Sequence, residues 1–403
     1  MIIKSQFGKF LSSNTKKDEG LQISGNHHQL IHNKESNKLV IFFTATGAKP
    51  KQFNFWKVGH NLAEHTNILF VNGWCNSWYQ DGIRGIGDDL DSTVKTIKNW
   101  MLKENVDEVF CTGQSMGGYG ALLIGGLLGA KIIAFGAETL LDIPHSQYFR
   151  KANRSVAMQH QDLAVTFKGG VDAVLLAGEE DPIDIYCAQR MLSVPGIKVH
   201  TMRDVGHGPA GYLRNRDRLE PLLLGWINGS EFPDMEEFGA ALEYKDFPPN
   251  FYGGWCDIRD KNYSVAITKL KNCVELYPAC DEARRLLGDA FMGSGKYVEA
   301  FEQFSVSYAL RGRDGSQLGL AHSLRKMGET VQAKRAYLKL IRFRPEHAAA
   351  YYGVGLCHLK LENVDKAIYY LKRAVKYSPN NTSFIDRLKK TQALKVRLDA
   401  SNL

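Results

Sequence analysis

The sequence predicts an α/β domain built on a mostly parallel sheet, followed by an all-α solenoid of stacked helical hairpins. Three observations carry this. At 403 residues the chain is too long for one ordinary core, so two or three domains are expected. The first 230 residues alternate short β-branched runs with helical stretches, the pattern of strands joined by crossover helices. From about Phe247 strand formers thin out and the sequence resembles itself at a period near 34. Residues 229–246, NGSEFPDMEEFGAALEYK, carry Gly, Pro and an acidic run, and read as a linker with room for a short helix. The expected domains are therefore 1–228, the linker 229–246, and 247–403.

In chain order, strands are predicted at His27 to Ile31, Lys38 to Thr44, Asn67 to Val71, Glu108 to Thr112, Ile132 to Phe135, Asp172 to Leu176 and Lys198 to Met202. Helices fit between them at Asp91 to Lys103, Met116 to Leu128 and Arg214 to Ile227. In the C-terminal part, small and large residues recur at matched places: Ala266, Leu270 and Cys273; Ala300 and Phe304; Ala333 and Tyr337; Ala367, Leu371 and Ala374. Small residues let paired helices approach, while aromatics fill the gap to the next pair. These positions resemble tetratricopeptide repeats, a family whose stacked hairpins expose a face for partner proteins. The last stretch, Thr382 to Leu398, rich in Lys and Arg, reads as a polar cap.

Composition excludes several classes. Hydrophobic content of 44% with 23% charged residues is that of a folded chain. The longest mostly apolar run, near Ala121 to Ala130, is well short of the roughly 20 residues that span a bilayer. The first 20 residues lack the apolar stretch of a secretory signal, so a cytoplasmic location is expected. Seven scattered cysteines without a C-x-x-C pair fit neither a disulfide framework nor a zinc site. The net charge of +8 divides as +2 over residues 1–230 and +6 over 231–403, with no basic cluster of the kind that grips nucleic acid.

The chemistry-bearing motif is Gly113-Gln114-Ser115-Met116-Gly117. It follows an apolar run and opens a small-residue helix, the strand–turn–helix setting of a nucleophile elbow. The motif resembles that of the α/β-hydrolase family. That resemblance implies Ser115 as nucleophile, with an acid and then a histidine on later loops. Glu179-Glu180-Asp181-Pro182-Ile183-Asp184 resembles the acid turn, with Asp181 the first candidate, Asp184 the second and Glu180 the third. Asp204-Val205-Gly206-His207-Gly208 resembles the family's histidine loop and makes His207 the base. The oxyanion donors would be the N–H of Met116 and that of Ala45 or Thr46. The loop from Asn72 to Gly87 should rim the site, with Trp74, Trp78, Tyr79 and Arg84 as substrate contacts. The short insertion Leu140 to Gly170, carrying Arg150, Lys151 and Arg154, argues for a polar substrate.

Taken together, the reading is a serine hydrolase working through an acyl-enzyme, a carboxylesterase on a polar substrate. It needs no organic cofactor and no metal. An alternative is O-acyl transfer to a surface glycan, with acetyl-CoA as donor. A third reading makes the repeats the working part, an adaptor for a protein partner beside an inactive hydrolase domain.

Overall fold

The computed structural model describes residues 24–401. They divide into two compact units: one runs up to Ile132 and adds Ala152–His160, the other comprises Ile133–Lys151 and the chain from Gln161 onward. The division falls inside the α/β half, whereas the sequence suggests a boundary at 229–246.

The first unit contains β1 (His28–Ile31), β2 (Lys38–Phe43), α1 (Trp56–Leu62), β3 (Asn67–Val71), α2 (Leu90–Lys103), β4 (Glu108–Gln114) and α3 (Met116–Leu128). Its strands lie in the order β1-β3-β2-β4 and form a mixed sheet. β2 runs parallel to both β3 and β4, while β1 is antiparallel to β3. Leu39 to Phe43 and all of β3 are buried, with no alternation, as in strands covered on both faces. α2 starts where Asp89 and Ser92 cap each other: Asp89 Oδ1 accepts from Ser92 N at 2.7 Å, and Ser92 Oγ accepts from Asp89 N at 3.1 Å.

β5 (Lys131–Phe135) begins in the first unit and ends in the second, which further contains α4 (Gln147–Lys151), α5 (Leu163–Thr166), β6 (Ala173–Gly178), α6 (Pro182–Met191), β7 (Ile197–Met202), α7 (Pro209–Arg214) and α8 (Leu219–Ile227). β6 and β7 pair in parallel. The helix expected from Arg214 to Ile227 is in fact two, α7 and α8. Between them Asp217 turns left-handed at φ 54°, and Arg218 N bonds back to Leu213 O. A polar N-R-D-R run supplies no apolar stripe to hold a continuous helix there.

Nine helices follow among the described residues: α9 (Phe247–Arg259), α10 (Tyr263–Leu276), α11 (Asp281–Gly293), α12 (Tyr297–Arg311), α13 (Asp314–Lys326), α14 (Thr330–Phe343), α15 (Ala348–Lys360), α16 (Val364–Tyr377) and α17 (Thr382–Ser401). The first eight pack as four successive antiparallel hairpins, and α17 lies on α16. The periodic residues read from the sequence are buried on the second helix of each hairpin: Ala266 and Leu270, Ala300 and Phe304, Ala333 and Tyr337, Ala367 and Leu371. All seven cysteines are free thiols. No described helix is long and apolar enough to cross a membrane.

Residues 229–246, expected as a linker with a short helix, contain no helix and are strapped along the edge of β7. Arg203 N donates to Glu237 O at 2.8 Å, Gly239 N donates to Thr201 O at 2.9 Å, and Met202 bridges Phe238. The ring of Phe238 stacks on His200, centroids 4.3 Å apart. The strap is fastened through Glu179, a buried carboxylate just after β6. It accepts from Thr201 Oγ1 at 2.8 Å, from Ala241 N at 2.8 Å, and from the Tyr277 hydroxyl at 3.1 Å. Tyr277 ends α10, so sheet, strap and repeats meet at one charge. Burial and this carboxylate push the Tyr277 phenol well above its ordinary range, which keeps it a donor.

Tyr277→Phe should therefore lower stability by about 1–2 kcal/mol in urea denaturation, because one oxygen of a buried carboxylate loses its donor. An unchanged midpoint would mean that the bond contributes nothing.

Candidate active site

The nucleophile candidate lies in the first unit, at the turn from β4 into α3. Ser115 is nearly buried and adopts φ 59° and ψ −126°, a conformation that costs a non-glycine residue about 1–3 kcal/mol. Glycines make the turn sterically feasible. A Cβ on Gly113 would sit 2.3 Å from Gly117 O, and one on Gly117 would sit 2.3 Å from Phe43 O. The start of α3 is thus pressed against the end of β2, which the spacing of the motif anticipates.

The segment after β2 is more specific than its sequence suggests. Ala45 N donates to Asn54 Oδ1 at 2.7 Å, and Gly47 N donates to Asn76 Oδ1 at 3.0 Å. Ala45, a candidate oxyanion donor, is thereby committed to a side chain in its own unit. Thr46 remains the other candidate of this segment.

The rim loop departs further from expectation. Cys75, Asn76, Trp78 and Tyr79 all have positive φ, between 48° and 58°. Trp78 and Tyr79 are fully buried and present no face to a substrate, which corrects their assignment as binding residues. The Tyr79 hydroxyl donates to Thr44 O and accepts from Thr44 N, each at 2.8 Å, so this ring braces the segment that follows β2. Gln80 Oε1 accepts from the N–H groups of Gln159 and His160, at 3.1 Å each, and its amide donates to the Tyr119 hydroxyl at 2.5 Å. Tyr119 in turn bonds to His160 O. The 152–160 part of the predicted cap is thus held down from α3 and the strained loop. Arg84 is exposed and lowers the proton affinity of His27, second to burial. The side chain of Trp74 lies outside the described residues. Asn54, Asn76 and Gln80 carry no motif and were not legible in the sequence.

The acid and base candidates lie in the second unit. Gly178 ends β6 where a Cβ would come within 2.0 Å of Gly206 O, so the two loops run back to back. Glu179 N donates to Met202 O and Glu180 N to Val205 O, each at 3.0 Å. His207 Nδ1 lies 2.8 Å from Asp184 Oδ1 and 3.9 Å from Asp181 Oδ2. The first-choice acid is therefore corrected. Asp181 is the N-cap of α6, its Oδ1 accepting from Ile183 N at 2.9 Å and Asp184 N at 3.1 Å. That aims Asp184, one turn into the helix and fully buried, at the imidazole. Glu180, the third candidate, pairs instead with Arg313.

The charge of Asp184, first, and its hydrogen bond raise the His207 pKa to about 10, against the opposing effect of burial. Burial, then the Asp184 charge, pushes Asp181 up to about 7. A further carboxylate, Glu138, is buried close enough to favour the imidazolium. It accepts from Gln147 N at 2.6 Å and Tyr148 N at 2.9 Å, and burial raises its pKa. One donor atom each from Asp181, Asp184 and His207 fall within 4.8 Å of one another. The capping bonds of Asp181 and the Asp184–His207 bond account for that cluster, and no metal is assigned to it.

Two outcomes follow. Ser115→Gly should stabilise the protein by about 1 kcal/mol in urea denaturation, because glycine adopts this conformation without strain. The His207 pKa is raised on folding, so the pair's stabilisation is full below pH 6.5 and is lost as pH rises through about 10. Wild type and Asp184→Asn should thus differ by a few kcal/mol near pH 6 and converge in alkaline solution; a pH-independent difference would contradict the ion pair.

Comparison with known proteins bears on the repeats. Residues 258–314 and 318–382 match the family model described as tetratricopeptide repeat. The chain is 27% identical over 161 residues to anaphase-promoting complex subunit 3 of Schizosaccharomyces pombe, covering 40% of this chain and 22% of that protein. It is 25% identical over 131 residues to BBSome complex member BBS4 of Mus musculus, covering 32% and 24%. The chain thus spans about a quarter of the length of the curated relatives it matches. Among solved structures, MamA from Desulfovibrio magneticus RS-1 shares 20% identity at a TM-score of 0.35, over 38% of this chain and 86% of that one. YrrB, described as a TPR protein with an unusual peptide-binding site, shares 16% at a TM-score of 0.33, over 45% and 88%. Within the C-terminal helices, α10 to α16 fall in the stretches that match tetratricopeptide repeats.

Proposed function

We propose that this chain docks a partner protein through its tetratricopeptide repeats. The observation that carries this reading is the pair of repeat matches over residues 258–314 and 318–382. The excess of positive charge in the C-terminal part favours an acidic segment on the partner. Affinity capture of the full chain should return a stoichiometric protein whose retention falls as salt is raised. Capture that is indifferent to salt would remove the acidic partner, and the absence of any stoichiometric protein would remove docking.

A second reading is supported by two observations: the strained backbone of Ser115 and the 2.8 Å bond between His207 and Asp184. In this reading the α/β half is a serine enzyme acting on a polar ester. Ser115 attacks the carbonyl carbon, His207 takes its proton and returns it to the leaving alcohol, and Asp184 holds the tautomer and stabilises the imidazolium. The N–H groups of Met116 and Thr46 donate to the developing oxyanion. Water then resolves the acyl-enzyme; a sugar hydroxyl would do so if the enzyme is an O-acyltransferase, with acetyl-CoA as donor. The repeats would bring this chemistry to a docked protein or its polymer.

A fluorophosphonate probe tests the second reading. Labelling should occur in wild type and vanish in Ser115→Ala, and a folded wild type that is not labelled leaves docking alone. Because only neutral imidazole can act as base, the labelling rate should climb on the alkaline side in wild type, and Asp184→Asn should move that limb to lower pH. Product analysis with and without a glycan acceptor separates hydrolysis from transfer.

A further inference from the structure

The helical repeats reach the acid and histidine loops through one residue. Arg313 sits in the two-residue turn between α12 and α13. Its guanidinium pairs with Glu180, with Asp204 Oδ1 at 3.1 Å, and with Asp281 Oδ2 at 2.5 Å. Arg311, at the end of α12, adds a 2.7 Å contact from Nε to Asp204 Oδ1. Glu180 directly precedes the N-cap Asp181, and Asp204 lies three residues before His207. Asp281 opens α11 and anchors the far side of the guanidinium within the repeats.

We propose that Arg313 is a positioning residue, through which the repeat stack holds the Glu180 and Asp204 loops together and so fixes the hydrogen bond between Asp184 and His207. The physical argument is one of geometry. The two loops touch through backbone bonds at Glu179 and Glu180, with only hydrogen at Gly178 between them. Asp204 makes a left-handed turn at φ 62°, a turn conformation that aspartate tolerates, three residues before His207. A planar guanidinium bridges carboxylates on two loops in a fixed fork; an ammonium is a single flexible point charge. The remaining charged groups around His207, which are Asp184, Asp181 and Glu138, all act on it directly. Arg313 acts through the backbone that carries them. The assignment rests on reading His207 as the base of the second function above.

The test uses the full chain and a readout that does not require turnover. The imidazole Nδ1–H of His207, held by Asp184, should give a downfield proton NMR signal that is absent in Asp184→Asn. In Arg313→Gln that signal should lose intensity on the order of tenfold through exchange with water, in a protein with unchanged circular dichroism. On a p-nitrophenyl ester kcat should fall about tenfold with KM unchanged, since the base and not the binding surface is disturbed. Glu180→Gln breaks the same link while leaving Arg313 on Asp281, and decides the matter if Arg313→Gln does not fold. A signal of wild-type intensity in either folded variant, or no signal in wild type, overturns the proposal. If the probe fails to label wild type but the signal disappears in Arg313→Gln, the positioning role stands and the serine-enzyme reading falls.

Discussion

A buried carboxylate must find donors, and that requirement organises the second unit. Leaving Glu179 unpaired would cost several kcal/mol. Its donors come from three places that the linear order keeps apart: β7 through Thr201, the strap through Ala241, and the repeats through Tyr277. An apolar junction adds to this at α6 and α9, where Ile183 and Cys187 pack with Tyr252 and the rings of Tyr186 and Tyr252 stack. The helical array is therefore seated on the same loops that carry Asp181 and His207, and not hung from a free tether.

The first unit follows a different logic, in which strain is stored and then held in place. Ser115 and four residues of the rim loop occupy left-handed backbone regions that ordinary side chains avoid. What keeps them there is close backbone approach at Gly113 and Gly117, and polar side chains that occupy backbone donors on the neighbouring segment. Such concentrations of unfavourable conformation are expected where a site demands a geometry that a relaxed chain would not supply. They also explain why so much of this unit's polar inventory is spent on loops and not on the sheet.

Legibility differed sharply between these features. The strands and the repeat hairpins could be read because each is written in a pattern: continuous apolar runs for the buried β2 and β3, and small and large residues at fixed offsets for paired helices. The strap could not, because its pairing with β7 is made by backbone groups that any sequence carries. The break between α7 and α8 depended on one left-handed aspartate. In the site, Ser115 and His207 stood out through flanking glycines, yet the choice between Asp181 and Asp184 turned on which carboxylate was needed to cap α6. Trp78 and Tyr79 misled because aromatic residues in a loop look available, while Tyr79 is spent on bracing Thr44. Arg313 had no signature at all: its importance arises only from three acids distant in sequence.

The strap along β7 also bears on modularity. A chain joined by a slack tether can be cut or recombined there, and each half keeps its fold. Here a cut within 229–246 would remove an edge pairing and strip a donor from a sequestered negative charge. Gene fusions that exchange the repeats for another array would have to recreate a tyrosine in the position of Tyr277 and an arginine in that of Arg313. Drift in the repeats is therefore constrained at two points that face inward, whatever freedom their outer surface enjoys.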